Sequence, residues 1–540
     1  MAAKTHLKVN RHLRSVGLAL LVAGVTVFTL LPFAGRYSFK AGTVKSSIDQ
    51  SVYSAVGEQL DRALEGRSFS SPLQVTAQVA GVLDVYNRDR QSAGEWDKVI
   101  YTSEHDLSTQ LCKSVHTGWL SEQPTLLWLL TFGTALLGGL LMIVGNGWHA
   151  MTPGIKNNGV YHQASTSRGW VAWVVFPWLV VFYLVLYFRP ELTVPLTAIT
   201  DPISQALSGR EGGRWFLYGF IYTTVMTVMA VRMFLKYKGN RYQTVRTASV
   251  LFFQICFAFL IPEVMGRMGL PAQDFKNIWP LDYTFFFSWR LDAMLAEGTL
   301  GIFFLVWGIL LFVVGVPVMV YFFGKRWYCS WVCGCGGLAE TLGDPYRQLS
   351  DKSIGAWKIE RYLIHAVLVF AFVMTGMTLY TYFSGASQVF FLDTWKLQSA
   401  YGFLIGSVFA GVIGTGFYPV MGSRVWCRFG CPLAAYLGFV QRFKSRFRIT
   451  TNGGQCISCG NCSTYCEMGI DVRWYAQRGQ NIVRSSCVGC GVCAAVCPRG
   501  VLKLENGSET ARINDNPILI GREGVQLSPD LLSNQRTMNG

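Results

Sequence analysis

Charged residues are scarce in this sequence, which argues against an ordinary soluble protein. Only 14% of the 540 residues are Asp, Glu, Lys or Arg, whereas 51% are hydrophobic and 14% are aromatic. A typical soluble domain carries about 25% charged residues. The composition therefore predicts a polytopic α-helical membrane protein, and the lipid bilayer is its first expected partner.

Histidine is also rare, which argues against haem. The chain has seven histidines, and it contains no C-x-x-C-H motif for haem attachment. Only His365 falls inside a predicted membrane span, so the paired axial ligands of a b-type haem are missing. We therefore expect no haem in this chain.

Acidic residues are outnumbered by basic ones. Lys and Arg total 47 against 31 Asp and Glu, which gives a formal net charge of +16. The basic residues are spread over several loops instead of one soluble domain, so nucleic acid is not an expected partner. Their distribution is typical of cytoplasmic loops that lie near anionic lipid.

Eight apolar segments are long enough to cross a bilayer, whose hydrocarbon core of about 30 Å requires about 20 helical residues. They cover residues 16–34, 124–145, 169–188, 215–235, 247–268, 299–323, 362–383 and 401–421. With about eight spans, the basic loops and both termini fall on one side. The positive-inside rule assigns that side to the cytoplasm, which predicts a multi-pass protein of the cytoplasmic membrane.

Cysteine is almost absent from the first 325 residues and frequent afterwards. Cys112 and Cys256 precede residue 325, and thirteen cysteines follow it. The pattern C-x2-C-x2-C-x3-C occurs twice, first at Cys456, Cys459, Cys462 and Cys466, and then at Cys487, Cys490, Cys493 and Cys497. Bacterial ferredoxins with two clusters have this pattern, and the fourth cysteine of each run ligates the cluster of the other run.

The pattern predicts two [4Fe–4S] clusters. The first would be held by Cys456, Cys459, Cys462 and Cys497, and the second by Cys487, Cys490, Cys493 and Cys466. A zinc ribbon uses paired C-x2-C knuckles instead of two four-cysteine runs, so we favour the clusters. The first run ends in Cys466-Glu467, and this acidic neighbour is expected to lower the potential of its cluster unless a partner offsets the charge.

A second internal repeat precedes the ferredoxin pattern. The stretch "GKRWYCSWVC" (324–333) aligns with "GSRVWCRFGC" (422–431), so that two cysteine pairs correspond. Both copies follow a span that runs toward the cytoplasm, and cysteines four residues apart can share one face of a helix. We therefore predict a third redox or metal site at the membrane face, formed by Cys329, Cys333, Cys427 and Cys431.

Residues near this third site include two arginines and two additional candidate ligands. The matched Arg326 and Arg424 would favour thiolates, because nearby cations lower the pKa of a thiol. Cys335 has no counterpart in the second copy and is a spare or alternate ligand, and His365 is a possible extra ligand. The alternative is that the cysteines simply pack as small apolar side chains at helix ends.

These motifs divide the chain into six parts. They are the N-terminal segment with the first span (1–34), an outer domain (35–123), a membrane domain with seven further spans (124–421), a connector with the second cysteine pair (422–450), a ferredoxin-like α+β domain for two [4Fe–4S] clusters (451–505) and a polar tail (506–540).

On these residues the chain resembles the membrane-bound polyferredoxins typified by NosR, NapH and CcoG, which are linked to nitrous oxide reduction, periplasmic nitrate reduction and cytochrome oxidase assembly. The resemblance covers about residues 299–505 and includes the C-x3-C-P motif that ends at Pro432. Two departures stand out. Gly334 replaces the proline after the first cysteine pair, and no segment of 35–123 resembles the flavin-attachment motif of the NosR branch. Hence no covalent flavin is expected.

The motifs and the resemblance together predict a membrane-associated iron–sulfur protein. It would relay electrons between the cytoplasmic side and a membrane or periplasmic redox partner, such as a quinol-linked or periplasmic reductase or oxidase system. The alternative is a copper reductase or assembly factor for a respiratory metalloenzyme, as the CcoG branch implies. A redox sensor is a third reading. Glu263, inside a predicted span, is a candidate for proton or quinone chemistry.

Overall fold

The structure is a computed structural model of the chain. It describes residues 10–33, 35–95, 98–118, 122–145, 168–270, 274–452, 455–506, 519–521 and 524–526. Most of the predicted tail (506–540) lies outside these residues, apart from a short hairpin of Leu519–Gly521 and Gly524–Gln526.

Among the residues that the structure describes, eight helices are long and apolar enough to cross a membrane. They are Arg11–Phe33, Pro124–Gly145, Trp170–Phe188, Arg214–Lys236, Arg241–Arg267, Thr299–Phe323, Ile354–Ser384 and Thr394–Ile413, and we number them first to eighth span in that order. Each corresponds to one of the eight predicted segments. Large apolar side chains are exposed along them, because their sequences consist mainly of long runs of Leu, Val, Phe and Ile.

The eighth span differs from its prediction. The sequence predicted 401–421, but the long helix is Thr394–Ile413, and a separate short helix covers Tyr418–Met421. Asp393 explains the earlier start, because its side chain accepts hydrogen bonds from the backbone N–H groups of Trp395 and Lys396 and so caps the helix. The break between the two helices lets the chain turn before the second cysteine pair.

The segment between the first two spans folds into a small α+β unit, whose core also includes Val194 from the chain after the third span. Its helices are Thr43–Ser47, Gln50–Leu64, Pro72–Ser92 and Glu104–Val115, and its strands Arg36–Ser38, Ser68–Phe69 and His116–Thr117 form an antiparallel sheet in the order second, first, third. Apolar residues of the helices pack into one core that includes Cys112. The buried Cys112 therefore has a packing role in this domain.

Shorter elements connect the spans, and some of them surround the cysteine pairs of the internal repeat. The remaining helices are Pro190–Thr193, Val194–Ala198, Asp201–Ser208, Ser288–Ala296, Arg326–Cys329, Gly334–Glu340, Asp344–Leu349, Trp426–Gly430 and Pro432–Lys444. A two-residue hairpin, Gln388–Val389 with Leu392–Asp393, joins the seventh and eighth spans. Of these elements, those between residues 326 and 349 and between 426 and 444 surround the predicted third site.

The C-terminal domain is a small α+β unit. Strand Arg448–Thr451 pairs antiparallel with Leu502–Glu505, so the two ends of the domain are joined. Between them lie the short helices Asn461–Thr464, Val472–Gln477 and Val492–Ala495. One buried apolar cluster continues from the sixth span through Pro432–Lys444 into this domain, so that the domain and the helix bundle share a core.

Candidate functional site

The eight ferredoxin cysteines line two separate cavities. One cavity is lined by Cys456, Cys459, Cys462 and Cys497, and we call it the solvent-side cavity. The other is lined by Cys487, Cys490, Cys493 and Cys466, and we call it the membrane-side cavity. Each cavity thus receives three thiols from one run and the fourth from the other, because the short helix after each loop carries the last cysteine across the domain.

The donor set of each cavity fits an iron–sulfur cluster. Burial raises the pKa of Cys462 to about 12 and that of Cys487 to about 11, so bare thiols would stay protonated there. Four soft sulfur donors around one small cavity are the set that such clusters use, and iron binding supplies the positive charge that keeps buried thiolates ionised.

The two cavities differ in their surroundings. The solvent-side cavity includes the exposed Cys459, whereas Cys487 and Cys493 of the membrane-side cavity are buried. The membrane-side loop is fixed to the helix bundle by three hydrogen bonds to its backbone oxygens: Tyr242 Oη to Gly489 O at 2.7 Å, Gln243 Nε2 to Cys490 O at 2.8 Å, and Ser330 Oγ to Val488 O at 2.7 Å. One cavity therefore faces the aqueous side and the other faces the bundle.

The repeated cysteine pairs come together in the structure. Cys329 interacts electrostatically with Cys333 and Cys427, and Cys431 interacts with all three of these thiols. All four side chains are buried in the shared core. We call these residues the thiol group. Burial and mutual repulsion raise the pKa of Cys431 well above its usual value, so a cationic centre is the natural partner of a thiolate there.

The local conformation of the pairs corrects the sequence argument. The first copy does not place its cysteines on one helix, because helix Arg326–Cys329 ends at the first cysteine and the next helix begins at Gly334. In both copies the second cysteine, Cys333 or Cys431, is instead the extended N-cap residue of the following helix. A thiol in that position faces the positive end of the helix, which favours its ionised form.

Glycine explains two features of the repeat. Gly324 and Gly422, the matched glycines before each pair, both end a helix with positive φ, at 68° and 92°. This left-handed conformation favours glycine at both positions. Gly334 replaces the proline of the second copy because a Cβ atom there would collide with the hydroxyl oxygen of Tyr222. The departure from C-x3-C-P is therefore a steric consequence of the fourth span.

The first cysteine loop enters the helix bundle instead of ending at its surface. Gln254, in the middle of the fifth span, donates a hydrogen bond from Nε2 to the backbone oxygen of Val332. Tyr222, which contacts Gly334, lies eight residues from the start of the fourth span at Arg214. At 1.5 Å per residue this contact lies about 12 Å from the far end of that helix.

The additional ligands proposed from the sequence have different outcomes. Cys335 hydrogen-bonds to Cys333 and interacts with Cys427 and Cys431, so it belongs to the same set of thiols. His365 does not join them: its side chain is exposed, and its Nδ1 lies 2.6 Å from the backbone oxygen of Arg361 in its own helix. Glu263 is half-buried and hydrogen-bonds to Ser208, away from the thiols.

The cations near the thiol group also differ from expectation. Arg424 approaches as predicted, with Nη1 3.6 Å from Cys427 Sγ. Arg326 points elsewhere, because its guanidinium stacks 4.4 Å above the ring of Phe447 and donates to Asn506. The fully buried Lys325 interacts with the thiol group instead. Burial raises the pKa of Cys329, and the charge of Lys325 counteracts part of that rise.

Sequence reasoning missed a buried ionic network between the membrane-side cavity and the thiol group. Its cations are Arg232, Lys236, Arg246, Arg347 and Arg424, and its carboxylates are Glu340, Asp344 and Glu467. Five cations against three carboxylates leave an excess of two positive charges in ionised form. A signal was present, since the chain places several charged residues beside cysteine motifs in a region otherwise poor in charge.

The network forms a continuous path of contacts. At one end, Arg347 Nη1 lies 3.8 Å from Cys490 Sγ and 2.9 Å from Glu467 Oε2. At the other end, Arg424 Nε lies 3.0 Å from Glu467 Oε1, and its Nη1 reaches Cys427. Glu340 completes a ring, at 2.7 Å from each of the two arginines. Two guanidinium groups and two carboxylates therefore separate a thiol of one site from a thiol of the other.

Three segments of the chain match known protein families. Residues 455–502 match the family of the 4Fe-4S dicluster domain. Residues 305–355 and 402–450 each match the family of the 4Fe-4S binding domain. The chain therefore contains 4Fe-4S ferredoxin-type domains. The two copies of the second family contain the two cysteine pairs of the internal repeat.

Two curated proteins are similar to this chain. A segment of 166 residues is 28% identical to YccM of Escherichia coli (strain K12), a candidate electron transport protein, and covers 27% of this chain and 43% of that protein. A segment of 150 residues is 27% identical to the methylamine utilization ferredoxin-type protein MauN of Methylobacillus flagellatus, and covers 27% of this chain and 50% of that protein. The chain thus spans half or less of the length of these relatives. No solved structure matches it.

Proposed function

We propose that the protein relays single electrons from the cytoplasm to a redox partner within or across the cytoplasmic membrane. An iron–sulfur role in electron transport is supported by the matched 4Fe-4S domains and by the two relatives. The observation that carries the finer proposal is the adjacency of three cysteine sets: the solvent-side cavity, the membrane-side cavity and the thiol group. Cys493 of the membrane-side cavity interacts electrostatically with Cys462 of the solvent-side cavity, and the ionic network joins the membrane-side cavity to the thiol group.

We assign one [4Fe–4S] cluster to each cavity and a third centre to the thiol group. Iron–sulfur clusters exchange one electron at a time without forming or breaking a covalent bond. The chain itself holds the thiols, buries Cys487 and Cys493 of the membrane-side cavity and supplies positive charge through Arg347 and Arg424. The family match of both cysteine-pair segments to a 4Fe-4S binding domain supports iron over copper at the thiol group.

The position of the thiol group supports electron exchange with the membrane. A bilayer core of about 30 Å would otherwise separate the cytoplasmic clusters from an outer partner. Because the loop at Val332 and Gly334 lies between the fourth and fifth spans, only about 12 Å of helix remains beyond its contact with Tyr222. The basic loops on the ferredoxin side favour a cytoplasmic location for that domain.

Iron and acid-labile sulfide analysis with EPR spectroscopy of anaerobically purified protein tests this proposal. Three cubane clusters require about twelve irons per chain, and the two cavities alone require about eight. A Cys427→Ser variant should lose about four irons if the thiol group holds a cubane, while the signals of the two cavities persist. A count of eight in the native protein would refute the third cluster.

The copper-reductase alternative makes a different prediction. It requires that dithionite-reduced protein consume Cu(II) and that this activity depend on the thiol group. If the native chain contains eight irons and Cys427→Ser abolishes Cu(II) reduction, the alternative replaces the relay. If reduced protein ignores Cu(II), the alternative fails.

A further inference from the structure

The surface around the solvent-side cavity combines an exposed cysteine with basic and aromatic side chains. Cys459 is exposed, and Ile457, Arg473 and Arg499 line the same cavity. Next to them, Trp474 leaves 42% of its surface exposed, and Ile457 leaves 55% exposed. Exposed apolar side chains that lie together with polar ones around a cavity are typical of a protein interaction site.

The basic side chains of this surface are held in place. The guanidinium of Arg478 lies 4.0 Å above the Trp474 ring, close enough for a cation–π interaction. Gln477 Nε2 donates to Ser458 Oγ at 2.6 Å, which ties the helix to the loop that bears Cys459. We call Ile457, Arg473, Trp474, Arg478 and Arg499 the basic face.

The charge of the basic face has one sign. Within the described residues 455–506, no Asp or Glu is exposed, whereas Arg473, Arg478, Arg499 and Lys503 are. Of the three carboxylates in this range, that of Asp471 is half-buried and accepts a hydrogen bond from Ser463, that of Glu505 is half-buried at the end of strand Leu502–Glu505, and that of Glu467 is buried in the ionic network. The exposed charge around the cavity is therefore positive, and such surfaces raise the association rate of an oppositely charged partner.

We propose that the basic face is the docking surface for a soluble one-electron carrier protein with an acidic surface around its redox centre. This inference rests on the proposed function and adds the kind of donor. The membrane-side cavity is covered by the helix bundle through Tyr242, Gln243 and Ser330, so an aqueous protein reaches only the solvent-side cavity. Complexes between electron carriers are small and transient, so a patch of a few residues suffices.

Anionic lipid is a less suitable occupant. The loop of Gly489 and Cys490, which lines the other cavity, is the part of the ferredoxin domain that hydrogen-bonds to the fifth span through Tyr242 and Gln243. In the electron-transfer step, the reduced carrier loses one electron and an oxidised cluster of this chain gains it. No proton moves and no bond changes.

The test is a stopped-flow measurement on the full-length, cluster-loaded protein in nanodiscs. The probe is a dithionite-free, reduced plant-type [2Fe–2S] ferredoxin of strongly negative net charge, whose oxidation is followed by absorbance. The variant is the triple substitution Arg473→Glu, Arg478→Glu and Arg499→Glu. The matched control is Lys238→Glu, Lys358→Glu and Arg442→Glu, three exposed basic residues outside the basic face.

We expect the second-order rate constant of the native protein to fall at least about tenfold between low and high salt. The basic-face variant should be at least about tenfold slower at low salt and lose this salt dependence, and the control should keep both. Reduced methyl viologen, a small cation, should reduce the clusters of all three proteins. Equal losses in variant and control, or a native rate that ignores salt, would overturn the inference.

Two further comparisons distinguish failure of the proposed function from failure of the docking inference, and protein docking from lipid binding. If methyl viologen reduces no cluster in the native protein, the proposed function fails; if it reduces them while ferredoxin transfer is independent of the basic face, only the inference fails. Rates in phosphatidylcholine and phosphatidylglycerol nanodiscs are compared as well. A rate that depends on lipid charge in the native protein but not in the basic-face variant would assign the arginines to lipid headgroups and overturn the inference.

Discussion

Replacing Arg347 by Gln should lower the midpoint potential of the cluster that we assign to the membrane-side cavity. Arg347 Nη1 lies 3.8 Å from Cys490 Sγ, and the guanidinium is fully buried. Reduction adds one negative charge to a cluster, and a nearby cation stabilises that charge. Removing the cation therefore makes reduction harder.

The magnitude follows from Coulomb's law. A unit charge at about 4 Å contributes about 4 kcal/mol at an effective dielectric constant of about 20. The added electron is spread over the cluster, and the carboxylates near Arg347 compensate part of the arginine's positive charge. We therefore use about half of this interaction energy. At about 59 mV per 1.4 kcal/mol for a one-electron couple, a loss of about 2 kcal/mol lowers the potential by about 80 mV.

The assay is a redox titration monitored by EPR, with three variants that separate charge from structure. Arg347→Lys keeps the charge and should shift the potential less than Arg347→Gln. The double substitution Arg347→Gln with Glu467→Gln removes a cation and an anion together and should return the potential toward the native value. Arg424→Gln should instead affect the centre at the thiol group, because its Nη1 lies 3.6 Å from Cys427 Sγ.

A midpoint potential that is unchanged within the error of the titration would refute the reasoning for Arg347→Gln. So would equal shifts in Arg347→Gln and Arg347→Lys, since these would reflect altered structure instead of charge. Because removal of one partner from a buried ionic network destabilises a protein by about 3–5 kcal/mol, the iron content of each variant is measured first.

Three further predictions test the thiol group and its support. Cys427→Ser should abolish the third EPR-active centre, whereas Cys335→Ser should retain it if Cys335 is only a spare ligand; loss in both would make Cys335 a required ligand. Asp344→Asn should destabilise the protein by about 3–5 kcal/mol in thermal unfolding, because it leaves buried cations without their carboxylate. Those cations hold the pKa of Asp344 well below its usual range, so its carboxylate stabilises the fold fully above about pH 4 and loses this effect only on stronger acidification. The destabilisation by Asp344→Asn should therefore become smaller in strong acid, and an equal destabilisation at neutral and strongly acidic pH would contradict this. Gly422→Ala should lower the unfolding temperature, since its φ of 92° is strained for alanine, while Gly376→Ala, in open space within a helix, should not.

The sequence predicted the parts of the fold that depend on local pattern. Apolar run length alone located all eight candidate spans, because a helix must be about 20 residues long to cross a bilayer. The repeated cysteine spacing predicted which thiols share a cavity, including the exchange of Cys466 and Cys497 between runs. Both predictions use a fixed geometric period, which a single sequence displays directly.

The sequence could not predict features that depend on packing between distant segments. The helix break before Cys333 and the inserted loop depend on Gln254 and Tyr222, which lie 79 and 111 residues earlier in the chain. Arg326 and Arg424 occupy equivalent positions in the repeat, yet only Arg424 reaches a thiol, because the ring of Phe447 attracts the other guanidinium. Equivalent sequence positions therefore acquire different roles through their neighbours.

The ionic network also revises the expected effect of Glu467 on its cluster. Taken alone, a carboxylate next to Cys466 would lower the potential. In the structure Glu467 is paired with Arg347 and Arg424, and the complete network carries an excess of two positive charges. Burial of the membrane-side cavity disfavours the extra negative charge of a reduced cluster, and this excess offsets that cost. The excess charge therefore favours reduction of the proposed buried cluster, and with it the proposed electron flow from the basic face to the thiol group.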